Sequence, residues 1–593
     1  MTDYVAPIKD MNFVIRELAG LDRLLQYEAH AETDHDVVAQ ILEEAGRFAG
    51  DVWAPLNIPG DQSGCRVENR AVVITDGFAE AYEQFVENGW QSLSASSEYG
   101  GMGLPEVVAV ATSEMWQSSN TSLSLCPMLT SGAITAIEAH GTEEMKQMYL
   151  PKLVSGEWTG TMVLTEPQAG SDLAAITTRA VPEGDHYRIT GTKIYITWGD
   201  HPMGENIVHL VLARLADAPE GVRGISMFLV PKFLVNEDGS LGERNDVYPA
   251  SVEHKLGIHG SPTCVMRFGD AEGAIGYLVG AENKGLANMF TMMNHARLEV
   301  GVQGLAVSDR AYQLARAYAL DRVQGTAPGR KGRVTIISHP DVRRMLLCMK
   351  SQTEAMRAAA YSTAALMDVV HHESDADERA AADARLGLLT PIVKGWLTEA
   401  AQELTSLGVQ IHGGMGFVEE TGAAQHMRDA RILPIYEGTT GIQANDLVGR
   451  KILGDEGRAM HALIGDMRAT AGELGGSGSL GEMAPLLERA IDDLDQAVAW
   501  LIAHAPDDPH VPGAASVNLL MLAGTVLGGW QMARAALAVS DGAGPFASDA
   551  AFREAKVCTA RFYHNHVLPR SAAYYAAAVA GSASVMAMPE EAF

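Results

Sequence analysis

The sequence is poor in cysteine, which excludes a fold held together by disulfides. Its five cysteines are scattered without CxxC spacing, an odd and sparse set that is typical of reduced thiols in a cytosolic protein. Long apolar runs are missing as well, since no window reaches the ~18 uninterrupted apolar residues of a membrane-spanning helix. The N-terminal residues show no basic segment followed by an apolar run, so no signal peptide is predicted. We therefore expect a cytoplasmic protein with no membrane span.

Positive charge is also scarce. The 593 residues include 44 Lys and Arg against 74 Asp and Glu, which gives a net charge of −30. Such a surface repels nucleic acid and anionic membranes and favours solubility. It does not exclude an anionic ligand, because basic side chains and helix N-termini bind phosphate locally. The chain is too long for one compact core, and several packed units are expected, with no nucleic-acid partner.

The hydrophobic period changes along the chain. Residues 37–48 and 398–407 place apolar side chains at helical spacing. Between them, short runs rich in β-branched residues follow one another without intervening helices, which favours a small antiparallel barrel or sandwich. These runs are 187–197, 207–213, 225–230 and 263–268.

A Gly/Ser-rich break at 471–481 precedes a further alanine-rich helical region, in which 505–513 is predicted to be a long turn. The whole pattern predicts an α+β, multi-domain protein. The predicted segments are an N-terminal extension (1–34), an N-terminal helical domain (35–158), a middle antiparallel β-domain (159–283), a helical bundle (284–460) and an additional C-terminal helical domain (461–593).

Two segments have a composition suited to chemistry. In 435–444, Glu437 is the only acid and stands between Tyr436 and Gly438; a carboxylate in a dry pocket is suited to removing a proton from carbon. In 164–172, hydroxyl side chains and an exposed glycine backbone are suited to hydrogen-bonding a polar heterocycle or a phosphate. Taken singly, each segment is also compatible with an ordinary solvated turn.

Together with four further motifs, these segments resemble the acyl-CoA dehydrogenase family over residues 40–455. The motifs follow one another in the family's order. They are TEPQAGSD (165–172), KIYITWG (193–199), RVQG (322–325), QIHGGMGF (410–417), MRDA (427–430) and YEGT (436–439).

The resemblance implies a fold, a cofactor and a reaction. The fold would be that of acyl-CoA dehydrogenases, the cofactor FAD, and the substrate an acyl-CoA thioester. Glu437 would remove the α-proton, and its backbone N–H, with a flavin ribityl hydroxyl, would hold the thioester oxygen. The β-hydrogen would leave as hydride to flavin N5.

The same resemblance assigns further residues by motif position. Cofactor-binding roles, some of them toward the FAD of a neighbouring subunit, fall on Leu164, Thr165, Gly170, Ser171, Tyr195, Thr197, Arg322, Gln324, Gln410, Gly413, Gly414 and Thr439. Substrate-binding roles fall on Ser171, Arg297, Tyr436 and Gly438.

Several positions depart from the family pattern. Many relatives have Trp where this chain has Tyr195. Some relatives carry the base on the CoA-binding helix, where this chain has Ala296, so Glu437 is the one predicted base; nearby Glu299 is predicted to be structural. Gly325 directly follows Gln324 and an insert comes next, which alters the FAD contacts expected there.

A typical member of the family ends soon after the YEGT helix, whereas this chain has about 130 residues more, plus an N-terminal extension. This resembles the long, dimeric bacterial branch, so a homodimer is expected, with an electron-transferring flavoprotein as electron acceptor. Within that branch, residues 4–13 and 436–451 resemble sequences that convert 3-methylmercaptopropionyl-CoA to methylthioacryloyl-CoA in dimethylsulfoniopropionate breakdown. The alternative substrate is a short- to long-chain fatty acyl-CoA of β-oxidation.

Three other classes remain open. An acyl-CoA oxidase would share these motifs. The family's DNA-binding alkylation-response flavoprotein needs a basic C-terminal domain, whereas 461–593 holds seven Lys and Arg against fourteen Asp and Glu, which disfavours it. An inactive assembly paralogue is disfavoured by the presence of Glu437. No metal site is predicted, since His371 and His372 stand in an acidic stretch typical of a solvated loop.

Overall fold

Two units share the chain in the computed structural model, which describes residues 4–540 and 544–593. The helical unit contains the chain up to Gly46, Pro105–Glu114 and the chain from Val300 onward. The β unit contains Arg47–Leu104 and Met115–Glu299.

The described α-helices are α1 (Ile8–Phe13), α2 (Leu21–Leu24), α3 (His35–Phe48), α4 (Asn57–Ser63), α5 (Phe78–Glu87), α6 (Glu106–Ser119), α7 (Thr121–His140), α8 (Glu143–Ser155), α9 (Gly285–Asp321), α10 (Pro340–His372), α11 (Ala376–His412), α12 (Ala423–Ala430), α13 (Thr440–Asp446), α14 (Arg458–Gly476), α15 (Ala484–His504), α16 (Val511–Ser540), α17 (Ala550–Phe562), α18 (Ser571–Ala578) and α19 (Ala583–Met586). The described strands are β1 (Arg66–Glu68), β2 (Ala71–Val73), β3 (Trp158–Val163), β4 (Arg179–Glu183), β5 (His186–Thr197), β6 (Asn206–Arg214), β7 (Ile225–Pro231), β8 (Phe233–Val235), β9 (Leu241–Arg244), β10 (Val247–Val252), β11 (Thr263–Phe268) and β12 (Ala274–Leu278).

The helical unit is built around long helices with buried faces. By length and composition α16 would be able to cross a membrane, with a mean hydropathy of 1.5, but 67% of its most apolar window is buried within the chain. It packs against α10, α11, α17 and α18. An all-round apolar helix is typical of a large core as well as of a membrane, and here the burial places α16 in the core of the helical unit.

A buried ion network joins the N-terminal segment to the rest of the helical unit. Arg357 of α10 pairs with Glu114 of α6 and with Asp10 of α1, each at 2.6 Å. Asp10 also pairs with Lys556 of α17. A buried charge that loses its partner costs about 3–5 kcal/mol, so this network fixes α1 against three other helices.

The β unit contains a small barrel. Following the pairings, β5 joins β12, β12 joins β7, β7 joins β6, β6 joins β4, and β4 returns to β5, which closes a circuit. Strands β11 and β10 continue the sheet from β5, and β3 continues it from β6. The four predicted β runs are confirmed as β5, β6, β7 and β11.

Most strand pairs of the β unit are antiparallel, as predicted, but one edge departs from this pattern. Strand β3 pairs with β6 in parallel over its whole length, and β4 meets β6 in parallel at a single residue pair. The chain leaves β3 through a long loop and makes the β4–β5 hairpin before it enters β6. Two reversals of direction therefore leave β3 and β6 running the same way.

Three local predictions were wrong. Helix α14 continues to Gly476, through the first half of the predicted Gly/Ser break, because a glycine costs a helix only ~1 kcal/mol and Leu474 packs in the core. Helix α16 begins at Val511, before the predicted turn ends. His371 and His372 form the last turn of α10 and do not belong to a loop.

Candidate active site

The predicted base lies in a loop with a constrained backbone. Glu437 is half-buried between α12 and α13, with a φ of +54°, and Gly438 follows with a φ of +88°. A left-handed conformation at a non-glycine residue costs about 1–3 kcal/mol and persists only where the surroundings enforce it. Such a backbone fixes the direction of the Glu437 side chain.

A buried lysine holds this loop on both sides of Glu437. Lys394 of α11 is fully buried, and its Nζ donates to the carbonyl oxygens of Leu433 at 2.8 Å and Gly438 at 2.7 Å. Gln443 Nε2 donates to the Glu437 carbonyl at 3.1 Å. The loop is thus tied to α11 before and after the candidate base, which holds the backbone that carries the Glu437 side chain.

The neighbours of Glu437 in the chain are anchored as well. The Tyr436 hydroxyl donates a short hydrogen bond to Gln303 Oε1 of α9. Burial, and then the charge of Glu437, raise the pKa of Tyr436 above its ordinary value, so the phenol is neutral at physiological pH. Thr439 caps α13, its Oγ1 accepting from the Ile442 N–H at 3.2 Å. Tyr436, Gly438 and Thr439 therefore form one ordered turn with Glu437.

The loop 164–172 of the β unit is organised by Glu166, which is 2% exposed. Its Oε1 accepts from Lys193 Nζ at 2.9 Å and from the Thr178 N–H and Oγ1 at 3.0 and 2.6 Å. Its Oε2 accepts from the Thr177 N–H and Oγ1 at 2.7 and 2.8 Å and from Gln168 Nε2 at 2.7 Å. Burial alone would raise the pKa of Glu166, but the Lys193 charge and these hydrogen bonds lower it to about 2.

The same lysine joins this loop to strand β5. Lys193 Nζ also donates to the Leu164 carbonyl at 2.8 Å, and the Ile194 N–H donates to the Thr165 carbonyl at 2.9 Å. The structure therefore brings Leu164 and Thr165 next to the strand that carries Tyr195 and Thr197.

A bulge in β5 exposes Tyr195. The register with β11 shifts between Cys264 and Met266, and Tyr195 has a φ of +59°. Bulges redirect side chains at sheet edges, and here the Tyr195 side chain is 59% exposed. Beyond the bulge, Thr197 returns to regular pairing with Thr263. The exposed ring offers a flat apolar face, while Gly170 and Ser171 are exposed in the neighbouring loop.

A second set of predicted residues lies on the surface of the helical unit. All five members, Arg322, Gln324, Gln410, Gly413 and Gly414, are exposed. They follow or end α9 and α11, whose ends are joined by the stacked rings of Tyr318 and His412, 4.5 Å apart. His412 also hydrogen-bonds the Gly408 carbonyl at 2.7 Å, so it packs in the helix end. The insert that follows Gly325 folds back on the RVQG segment, since the Gln324 N–H donates to the Val334 carbonyl at 2.9 Å.

Arg297 is in a different setting, buried on α9 at 5% exposure. Its guanidinium donates to Asn294 Oδ1 at 3.3 Å and lies 5.6 Å from the centre of the Phe290 ring. Glu299 is 5% exposed and accepts from Gln117 Nε2 at 2.7 Å inside the β unit, and its structural role stays a prediction.

Three anchoring residues were not predicted, namely Glu166, Lys193 and Lys394. Glu166 lies in the TEPQAGSD motif and Lys193 in the KIYITWG motif, but no role was predicted for either residue. The available signal for Lys394 was a single charged residue within the run 386–397, which is otherwise apolar apart from Thr390; a fully buried lysine is rare without partners.

Comparison with known proteins covers almost the whole chain. Residues 29–157, 161–271 and 283–452 match the N-terminal, middle and C-terminal domains of acyl-CoA dehydrogenases, and 463–589 match a domain described as acetyl-CoA dehydrogenase C-terminal like. The 3-methylmercaptopropionyl-CoA dehydrogenase of Ruegeria pomeroyi is 49% identical over 95% of this chain and 96% of its own. A butyryl-CoA dehydrogenase of Syntrophomonas wolfei is 35% identical over 100% of this chain and 99% of its own.

A solved structure shares the fold. The acyl-CoA dehydrogenase of Bacillus anthracis, complexed with FAD, aligns with a TM-score of 0.74 at 22% identity over 93% of this chain and 89% of that chain. The domain matches and the 49% identity to the Ruegeria pomeroyi enzyme show that the chain belongs to the acyl-CoA dehydrogenase family. Members of this family are FAD-dependent oxidoreductases that act on acyl-CoA.

The residues present fit FAD. A Cβ built on Gly170, Gly413 or Gly414 would meet nothing within 4 Å, so the backbone there is open to a ligand. The exposed Tyr195 ring is able to pack against a flat heterocycle. The loop that would hydrogen-bond the flavin is fixed by Glu166 before any ligand binds.

Proposed function

We propose that this enzyme oxidises the α,β-bond of 3-methylmercaptopropionyl-CoA to give methylthioacryloyl-CoA, with Glu437 as the base. The observation that supports the base is the constrained, lysine-anchored turn that carries its carboxylate. The sulfur-containing substrate is supported by the 49% identity to the Ruegeria pomeroyi enzyme over nearly the full chain.

In the proposed reaction the Glu437 carboxylate takes the α-proton, and the proton ends on its Oε. The Glu437 N–H hydrogen-bonds the thioester oxygen, where negative charge develops as the proton leaves, and this lowers the barrier to its removal. FAD, when bound, accepts the β-hydrogen together with its electron pair. Lys394 and Gln443 keep the carboxylate and the N–H in fixed positions, because both tie down the backbone that carries them.

Several residues would hold the flavin. Leu164, Thr165, Gly170 and Ser171 would line it, and Tyr195 and Thr197 would pack against its ring. Arg297, Tyr436 and Gly438 are proposed to contact the substrate, together with Ser171. At Tyr436 the ring would contact the acyl chain, while the hydroxyl keeps its hydrogen bond to Gln303 Oε1.

We further propose a homodimer in the bacterial cytoplasm that passes its electrons to an electron-transferring flavoprotein. The exposed Arg322, Gln324, Gln410, Gly413 and Gly414 support the dimer, since polar side chains and open glycine backbone at one surface suit contact with the FAD of a second subunit.

A second candidate substrate is a straight-chain acyl-CoA. It is favoured by the 35% identity to a butyryl-CoA dehydrogenase over the whole chain. The two candidates share the base and the cofactor, and they differ in the group beyond the β-carbon.

The test is anaerobic titration of the flavin-loaded protein with 3-methylmercaptopropionyl-CoA, butyryl-CoA and octanoyl-CoA, with the visible flavin absorbance as readout. Fastest bleaching by the sulfur thioester supports the proposal, and fastest bleaching by a straight-chain thioester replaces its substrate. No bleaching by any thioester would remove the dehydrogenase function. Rapid reoxidation by air would instead indicate an acyl-CoA oxidase.

A further inference from the structure

Three side chains of types that commonly bind metals come together where the N-terminal segment meets the end of α10. Asp368 and His372 are four residues apart on α10, so they lie on one helix face. His30 stands on the short helical turn Glu28–His30. One ligand atom from each of these residues lies within 4.8 Å of the other two.

One of the three ligand separations is close to that of a tetrahedral zinc site. Zinc bonds to nitrogen and oxygen are about 2.0–2.1 Å long, which places tetrahedral ligand atoms about 3.3 Å apart. His30 Nε2 and Asp368 Oδ1 are 3.5 Å apart. The His30 and His372 rings meet edge to face, with their centres 5.1 Å apart. The ligand atom of His372 lies within 4.8 Å of the other two, and its exposed side chain has room to move toward them.

Two of the three ligands are already held in place. His30 and Asp368 are each 2% exposed. Both oxygens of Asp368 accept from the Glu106 N–H at the start of α6, at 3.0 and 3.1 Å. A carboxylate has about four lone-pair positions, so this bond orients the group and leaves positions for a cation. Metal-binding carboxylates are commonly hydrogen-bonded in this way.

The charged groups around the cluster are compatible with a cation. Next to His372, Glu373 pairs with Arg23 at 2.8 Å and accepts from the Tyr27 hydroxyl at 3.1 Å. Arg23 also pairs with Glu378 at 2.6 Å. The guanidinium is thus engaged by two carboxylates beside the cluster, and Asp368 contributes the negative charge among the three ligands.

We propose that His30, Asp368 and His372 bind one Zn²⁺ ion, with water as the fourth ligand. Two imidazoles and one carboxylate suit Zn²⁺, whereas Mg²⁺ prefers an all-oxygen octahedron. Such an ion ties the N-terminal segment to α10. The ion therefore stabilises the folded chain, and the stabilisation grows with the logarithm of the free Zn²⁺ concentration once this exceeds the Kd.

The experiment is calorimetric titration of the full-length, flavin-loaded protein with Zn²⁺ after treatment with a chelator. We expect one ion per chain and a rise in the thermal midpoint. Loss of a ligand in His372→Ala should weaken binding at least ~100-fold, since changes to groups behind the ligands already cost 10–100-fold. Mg²⁺ should not compete. Co²⁺ should give the visible absorbance of a tetrahedral site.

The neighbouring exposed histidine provides a matched control. His371→Ala removes an imidazole from the same helix end, outside the cluster, and should bind Zn²⁺ like the unaltered protein. Because His372 is exposed, its replacement should not disturb folding, whereas His30→Ala removes a buried ring and is checked by circular dichroism first. Absence of saturable binding by the unaltered protein overturns the proposal. Equal weakening by His371→Ala and His372→Ala overturns it as well.

Discussion

Replacing Lys394 with Met should damage catalysis more than the fold. The change keeps most of the side-chain length and removes the ammonium that donates to the Leu433 and Gly438 carbonyls at 2.8 and 2.7 Å. The Leu433 carbonyl loses its donor, whereas the Gly438 carbonyl keeps a longer contact from Gln443 Nε2 at 3.4 Å. A buried acceptor left without a donor costs about 1–3 kcal/mol, and we expect a loss of about that size in the free energy of unfolding.

The catalytic effect follows from the position of the two carbonyls on either side of Glu437. Freed from α11, the loop is able to move the carboxylate by about 1 Å, which costs on the order of 10²-fold in rate. The assay is stopped-flow flavin reduction under anaerobic conditions, at a temperature where the variant is folded and carries a full complement of flavin.

Lys556→Met is the matched control for Lys394→Met. Lys556 is also buried, but it pairs with Asp10 and Glu354. Its replacement should lower stability at least as much and leave the rate of flavin reduction in the folded fraction unchanged. If Lys394→Met reduces its flavin at the wild-type rate, the lysine does not position the base and the reasoning is refuted.

Two further predictions concern stability. The pKa of Glu166 is lowered from 4.5 to about 2 in the folded protein, so its contribution to stability is present above pH 4.5 and is lost as pH falls toward 2. The difference in urea stability between wild type and Glu166→Gln should be about 3 kcal/mol near neutrality and should shrink from about pH 4.5 toward pH 2. A difference that is independent of pH contradicts this. Arg357→Met leaves Glu114 without its buried cationic partner and should lower the free energy of unfolding by about 3–5 kcal/mol. As a control, Arg344→Met breaks an exposed pair with Asp341 and should cost about 0–1 kcal/mol. Similar losses in the two variants, measured by denaturant unfolding, would contradict the assigned burial.

Much of the fold follows from hydrophobic period and motif order. Four strands, including the three longest, were visible because β-branched residues cluster between turn signals. The parallel pairing of β3 with β6 was not visible, since it depends on how many times the chain reverses between them. The helical glycines at the end of α14 were missed for a related reason, because packing of Leu474 outweighs a local propensity of ~1 kcal/mol.

The candidate site was predicted as a set of residues, and its supports were not. Glu437 was identified as the only acid in residues 435–444 and by the resemblance of its motif to the acyl-CoA dehydrogenase family. That Lys394 reaches two carbonyls around it depends on how residues 433–438 pack on α11, about 40 residues away in the chain. The exposure of Tyr195 depends on a left-handed φ of +59°, which non-glycine residues seldom adopt and which local sequence does not signal. The division into five domain segments and the individual ligand contacts remain predictions.

The central claim is that Glu437 removes the α-proton, and its most direct test is flavin reduction in Glu437→Gln. The amide is nearly isosteric with the carboxylate and is not a base. We expect the variant to fold, to retain its flavin and to bind the thioester, while anaerobic reduction by 3-methylmercaptopropionyl-CoA slows by about 10²–10⁴-fold, the range of general-base catalysis. Reduction within a few-fold of the wild-type rate, at equal flavin content, would contradict the account.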